Sequence, residues 1–120
     1  MKICLGGMKY CWSVLGFIFM VTSWAGELRA VAAPESAGRR EAILHMLRQD
    51  CGSCHGLTMK GGLGPALLPA ALAEKDVDQM VYVILNGRRG TPMPPWRDFL
   101  DEAEARWVVD QLRRGLPGAP

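Results

Sequence analysis

Cys51-Gly52-Ser53-Cys54-His55 is the stretch whose reading decides the fold. Two thiols three positions apart, with an imidazole directly after the second, form the attachment signature of a c-type haem. Each sulfur can add to one of the two vinyl groups of a single porphyrin. The histidine that follows is then set under the ring, where it can coordinate the iron from the proximal side.

On the N-terminal side, Ile43, Leu47 and Cys51 recur every four residues with Leu44 beside them, while Arg39, Arg40, Glu41 and Arg48 fall on other faces. This spacing predicts a helix over 37–49 that runs straight into the first cysteine. His45 and Met46 lie on it, too near the attachment point to serve the opposite haem face. On the C-terminal side, Gly56, Gly61, Gly62 and Gly64 precede Pro65. So many glycines mark turns or close backbone approach, here against the haem edge. They lack the lysine and hydroxyl of a phosphate loop. A ligating imidazole needs an acceptor for its other N–H, and the carbonyl of Pro65 is the candidate.

Further along, Leu67 to Leu72 is a short apolar segment of one or two helical turns with Pro69 near its start. Asp76 and Gln79 resemble a capping box, and Asn86-Gly87 supplies a stop, so a helix is expected between them with Val77, Met80, Val81, Ile84 and Leu85 on its apolar stripe. Met80 on that stripe reads as core. Asp101 and Glu104 make a second capping box, and a helix to Arg114 follows with Ala105, Val108, Val109 and Leu112 buried. It is expected to cross the first helix at Ile43 and Leu47. Between these helices, Thr91-Pro92-Met93-Pro94-Pro95 cannot be helical. Three prolines around one methionine hold the chain stiffly, which suits presenting a thioether to iron. The alternative is a packing methionine in a surface loop, but an iron held by His55 leaves a sixth position to fill, and Met93 is the candidate. Arg88 and Arg89 just before it either pair with haem propionates or make a solvated turn.

The first residues frame this domain. Met1-Lys2, Lys9 and the apolar run Tyr10 to Val21 read as a secretory leader, cleaved after Ala25 or as late as Ala32. The alternative, a retained anchor, is disfavoured by a run too short to span a bilayer comfortably. The expected division is a leader over 1–25, a flexible lead-in over 26–36, one folded domain over 37–115 and a tail over 116–120. Cys4 and Cys11 leave with the leader, so the two motif thiols are the only ones in the mature chain. Twelve basic and twelve acidic residues then balance, which excludes the concentrated basic surface of a nucleic-acid binder. The absence of strand-like alternation argues against a thioredoxin-like use of the cysteine pair, and His45 with His55 is a poor supply of zinc ligands.

With these pieces together, the sequence resembles the small monohaem class I cytochromes c. The residues that carry the likeness are Cys51, Cys54 and His55, the Gly64-Pro65-x-Leu67 step, and Met93 followed by proline. It spans roughly residues 37–115. It departs at the first helix, where Ile43 and Leu47 occupy the family's usual glycine and aromatic contact positions. The resemblance implies an all-α domain of about three to five helices wrapped around one covalently attached haem c. It also implies low-spin iron between His55 and Met93. The likeness extends to the short periplasmic cytochromes c associated with nitrite reductase in denitrifying bacteria. That implies a monomeric periplasmic electron-transfer protein, not an enzyme, exported by the Sec route and free of the membrane once the leader is removed. Its partners would be periplasmic redox proteins such as nitrite reductase, which it would supply with electrons or assist in maturation of the d-type haem. The competing expectation is a haem enzyme or gas sensor with an open sixth site, which requires that Met93 not bind iron.

Overall fold

A short polar cap starts the first element. In the computed structural model, which describes residues 33–116, the Ser36 side chain accepts the Arg39 backbone N–H at 3.1 Å and opens α1, Ala37–Met46. Pro34 is buried and Ser36 is this cap, so the end of the expected lead-in is already engaged with the domain. The leader, its two cleavage points and residues 117–120 of the tail lie outside the described residues.

The chain does not stop at Gln49. It widens into a π-helical turn over Leu47–Cys51 and tightens again into α2, Gly52–His55, so the helix delivers both cysteines and the histidine. Four-residue spacing cannot distinguish a π turn from an α turn, so this widening is invisible in the residue pattern. Locally, the Ser53 hydroxyl donates to the Asp50 carbonyl at 2.6 Å, a side-chain bond that competes with the regular helical ladder. Such turns are frequent at functional sites. Gly56, with φ +83°, ends α2; a Cβ there would lie 2.7 Å from the Gly61 carbonyl oxygen.

Three further helices follow: α3 over Pro69–Leu72, α4 over Val77–Asn86 and α5 over Glu102–Arg114. Pro69 sits at the start of α3, where its missing N–H costs nothing. At α4 the Asp76 carboxylate takes the Gln79 N–H at 2.7 Å. At α5 the box closes in both directions: Asp101 takes the Glu104 N–H at 2.7 Å and Glu104 takes that of Asp101 at 3.1 Å. Glu102 and Glu104 at its start and Arg113 and Arg114 at its end complement the helix dipole. No strand occurs among the described residues.

The expected crossing of first and last helices appears as one shared core. Ile43 and Leu47, each 1% exposed, cluster with Trp107, Val108 and Leu112 of α5. Truncating a side chain as enclosed as Leu47 to alanine costs about 2–5 kcal/mol. A second cluster, Val81 with Ala105 and Val109, seats α4 on the next face of α5. Met80 is half-buried against both clusters, in keeping with its reading as core. Arg39 pins the crossing: its guanidinium donates to both Glu104 carboxylate oxygens at 2.5 and 2.7 Å and to the Phe99 carbonyl at 2.6 Å.

Candidate haem-attachment site

Cys51, Cys54 and His55 arrive on one continuous helix. The two thiols are unpaired and half-buried, and Cys51 lies against the main core cluster. Burial, with Asp50 close by, pushes the Cys51 thiol up to about 11, so it stays protonated at neutral pH. A neutral thiol is tolerated at an apolar boundary and remains available for addition to a vinyl group.

After His55 the chain makes a loop closed by backbone hydrogen bonds. Gly61 N–H donates to the His55 carbonyl and Gly64 N–H to the Cys54 carbonyl, each at 2.8 Å. Leu67 N–H donates to the Met59 carbonyl at 2.9 Å. The loop thus returns Gly64 and Pro65 to the imidazole. His55 Nδ1 lies 2.7 Å from the Pro65 carbonyl oxygen. A carbonyl only accepts, so Nδ1 carries a proton and Nε2 is the ring nitrogen left for a metal. The glycine run lies against the histidine as well: a Cβ on Gly64 would stand 2.6 Å from Cε1 and 2.7 Å from Nδ1 of His55. Only a glycine lets the backbone pass this close to the ring. The sequence signal for this was the glycine run, expected against the haem edge; that Gly64 would meet the imidazole itself was not readable.

Met93 is half-buried in a turn bound to the end of α4. Its carbonyl accepts from the Arg88 N–H at 3.1 Å, the Thr91 hydroxyl donates to the Arg88 carbonyl at 2.6 Å, and Trp96 N–H donates to the Ile84 carbonyl at 3.0 Å. Gly87, buried with φ +68°, is what lets the turn close, since a Cβ there would lie 2.8 Å from the Met93 carbonyl oxygen. No hydrogen bond among the described residues joins this turn to Cys51–His55. Arg88 and Arg89 are exposed and take part in no ion pair among the described residues. His45 is exposed, and Met46 packs against the core. A cavity of about 200 Å³ lies beside the loop, lined by Met59, Leu67, Leu112 and Leu116 among others, and none of Cys51, Cys54, His55 or Met93 lines it.

The donor set fits a c-type haem: two unpaired thiols on one helix and an imidazole whose Nδ1 is already engaged, leaving Nε2 for a metal. Among the described residues no three of His, Cys, Asp or Glu come together, so these side chains do not form a protein-only metal cage.

Comparison with known proteins agrees with this geometry. Residues 39–111 match the family model described as cytochrome C oxidase, cbb3-type, subunit III. The chain is 54% identical over 83 residues to cytochrome c55X of Paracoccus denitrificans, covering 69% of this chain and 81% of that one. With cytochrome c55X of Pseudomonas aeruginosa it is 47% identical, over 82% of this chain and 84% of that one. The solved structure of the c-type cytochrome NirC superposes with a TM-score of 0.65 at 51% identity, over 68% of this chain and 95% of that one. The chain is also 34% identical to dihydro-heme d1 dehydrogenase of Pseudomonas aeruginosa over 94% of its own length, which is 20% of that larger protein. An all-helical domain carrying the paired thiols and adjacent imidazole, matched over more than half its length by that family model and by cytochromes c55X, belongs to the cytochrome c family, whose cofactor is a c-type haem.

Proposed function

We propose that this chain is a periplasmic electron carrier with one haem, covalently attached through Cys51 and Cys54 and ligated by His55 and Met93. When bound, a c-type haem supplies a one-electron ferric/ferrous couple. The observation that carries the reading is the His55 Nδ1 contact with the Pro65 carbonyl at 2.7 Å. A histidine that donates its second nitrogen to a carbonyl is fixed in tautomer and in ring rotation, as metal-ligating histidines are. The cysteines would tether the cofactor on the same helix that carries His55. The Met93 turn, stiffened by Pro92, Pro94 and Pro95 and closed on Gly87, holds a thioether with little freedom, and a thioether ligand raises the reduction potential into a carrier's range. Arg88 and Arg89 at its base are proposed to pair with the propionates.

The similarity to cytochromes c55X, to NirC and to dihydro-heme d1 dehydrogenase supports a role in denitrification, with nitrite reductase as redox partner or with maturation of its d-type haem as the task. The chain matches a fifth of that dehydrogenase, so the activity of the whole enzyme does not come with the likeness. Balanced charge after leader removal gives no long-range steering, which fits a monomer docking briefly through a small interface of under about 1,200 Å². Export through the Sec route with cleavage after Ala25 completes the reading.

Mass spectrometry of protein purified from a host able to attach haem tests it. One haem's mass above the chain from residue 26, retained on denaturation, is expected. An unmodified mature chain refutes the attachment. Rapid carbon monoxide binding to the reduced native protein refutes Met93 as the sixth ligand and favours an open-site enzyme or sensor.

A further inference from the structure

Met59 is the only non-glycine residue with positive φ among those described, at +57°, in the left-handed region that side chains adopt at a cost. It is also 2% exposed, a member of the main core cluster. A turn that needs only a left-handed backbone is better served by glycine, so the side chain at this position has its own work. That side chain is an anchor. Its methyl lies 3.7 Å from where a Cβ on Gly52 would stand, against the helix that bears both cysteines.

The backbone of Met59 then does two things. Its N–H closes a turn on the Gly56 carbonyl at 2.8 Å, and its carbonyl receives the Leu67 N–H at 2.9 Å. Pro65 lies between two such clamps. The earlier one, Gly64 N–H to the Cys54 carbonyl, is made by the motif itself. The later one needs the Met59 carbonyl aimed at Leu67, as it is in the left-handed conformation that Met59 adopts.

We propose that Met59 is a positioning residue for the proximal histidine: anchored in the core and held left-handed, it clamps Leu67 and so keeps the Pro65 carbonyl on His55 Nδ1. This deepens the haem reading above and rests on it. Through that hydrogen bond Met59 would tune the iron, because a well-held acceptor makes the imidazole a stronger donor and favours the ferric state.

The test compares Met59→Gly, Met59→Leu and Leu72→Ala in the haem-loaded protein, reading two quantities. One is solvent exchange of the His55 Nδ1 proton by NMR in the reduced form, and the other is the midpoint potential. Met59→Gly keeps the backbone conformation available but removes the anchor, so exchange should accelerate at least ~10-fold and the potential should move upward. Met59→Leu restores an apolar anchor and should stay within about twofold of the unaltered protein. Leu72→Ala opens the same core from α3 and leaves the loop residues unchanged; it should lower the melting temperature without changing either quantity. Exchange within about twofold for Met59→Gly, or an equal acceleration in Leu72→Ala, overturns the proposal. Should Met59→Gly yield no holoprotein, Met59→Ala shortens the anchor and is read against the same two outcomes. A failure of the haem reading shows differently, as absence of covalent haem or of a low-spin spectrum in the unaltered protein.

Discussion

Replacing Gly64 by alanine introduces one methyl group against the imidazole. The new Cβ would stand 2.6 Å from His55 Cε1, whereas ordinary contacts begin near 3.4 Å. Ring or loop must therefore move apart by ~0.8 Å, since close-packed atoms do not interpenetrate. If the ring moves, the Nδ1 contact with Pro65 opens from 2.7 Å to ~3.5 Å, beyond hydrogen-bonding range. If the loop moves instead, the Gly64 N–H leaves the Cys54 carbonyl. Either way a half-buried group, the His55 imidazole or the Gly64 N–H, loses its partner, a cost of about 1–3 kcal/mol. For a domain of this size that lowers the melting temperature by roughly 5–15 °C. Scanning calorimetry of the haem-loaded protein measures it, with Gly38→Ala as the control. A Cβ on Gly38 meets nothing within 4 Å, and alanine there, inside α1, should be neutral or stabilising by up to ~0.5–1 kcal/mol. Gly64→Ala melting within about 2 °C of the unaltered protein, with the His55 Nδ1 proton still protected, would refute the steric reasoning.

Other outcomes follow from the same geometry. Met93→Ala should retain covalent haem but bind carbon monoxide rapidly and show a lower midpoint potential; an unchanged potential removes Met93 from the iron. Glu104→Gln keeps an oxygen to accept the Asp101 N–H but removes the charge opposite Arg39, costing at most about 1 kcal/mol for this partly exposed pair. The Arg39 guanidinium holds the Glu104 carboxyl below its ordinary value of 4.5, so the pair's stabilisation is fully present above that value and fades as the pH falls through the lower, folded-state value. The melting difference between unaltered and Glu104→Gln protein should therefore be constant near neutrality and shrink below pH 4.5. A difference that grows on acidification contradicts the ion pair.

Much of the helical layout was legible because it is written in neighbouring residues. Asp76 and Asp101 each bond an N–H three positions on, Pro69 opens α3, and Gly87 and Gly115 stop α4 and α5. The stripe Ile43–Leu47 pointed to α5, and the cluster with Val108 and Leu112 is there. The π turn is hidden because a stripe at four-residue spacing fits an α turn and a π turn alike. Nothing beside Pro34 in sequence indicates its burial, so the expectation of a flexible lead-in does not foresee it. At the site, the identities of two thiols, an imidazole and a nearby carbonyl acceptor could be named from spacing and chemistry.

The sequence by itself determined the residue types of the site and the helix that carries them, since attachment and capping act over three or four positions. Only the tertiary structure decided how tightly the site is built. It brought Gly64 against the His55 ring, buried Met59 in a left-handed turn and joined Arg39 to Glu104, 65 residues away. Those contacts depend on where the chain returns after a loop or a crossing. That path is set by the packing of all the apolar side chains together, which no local pattern of residues contains.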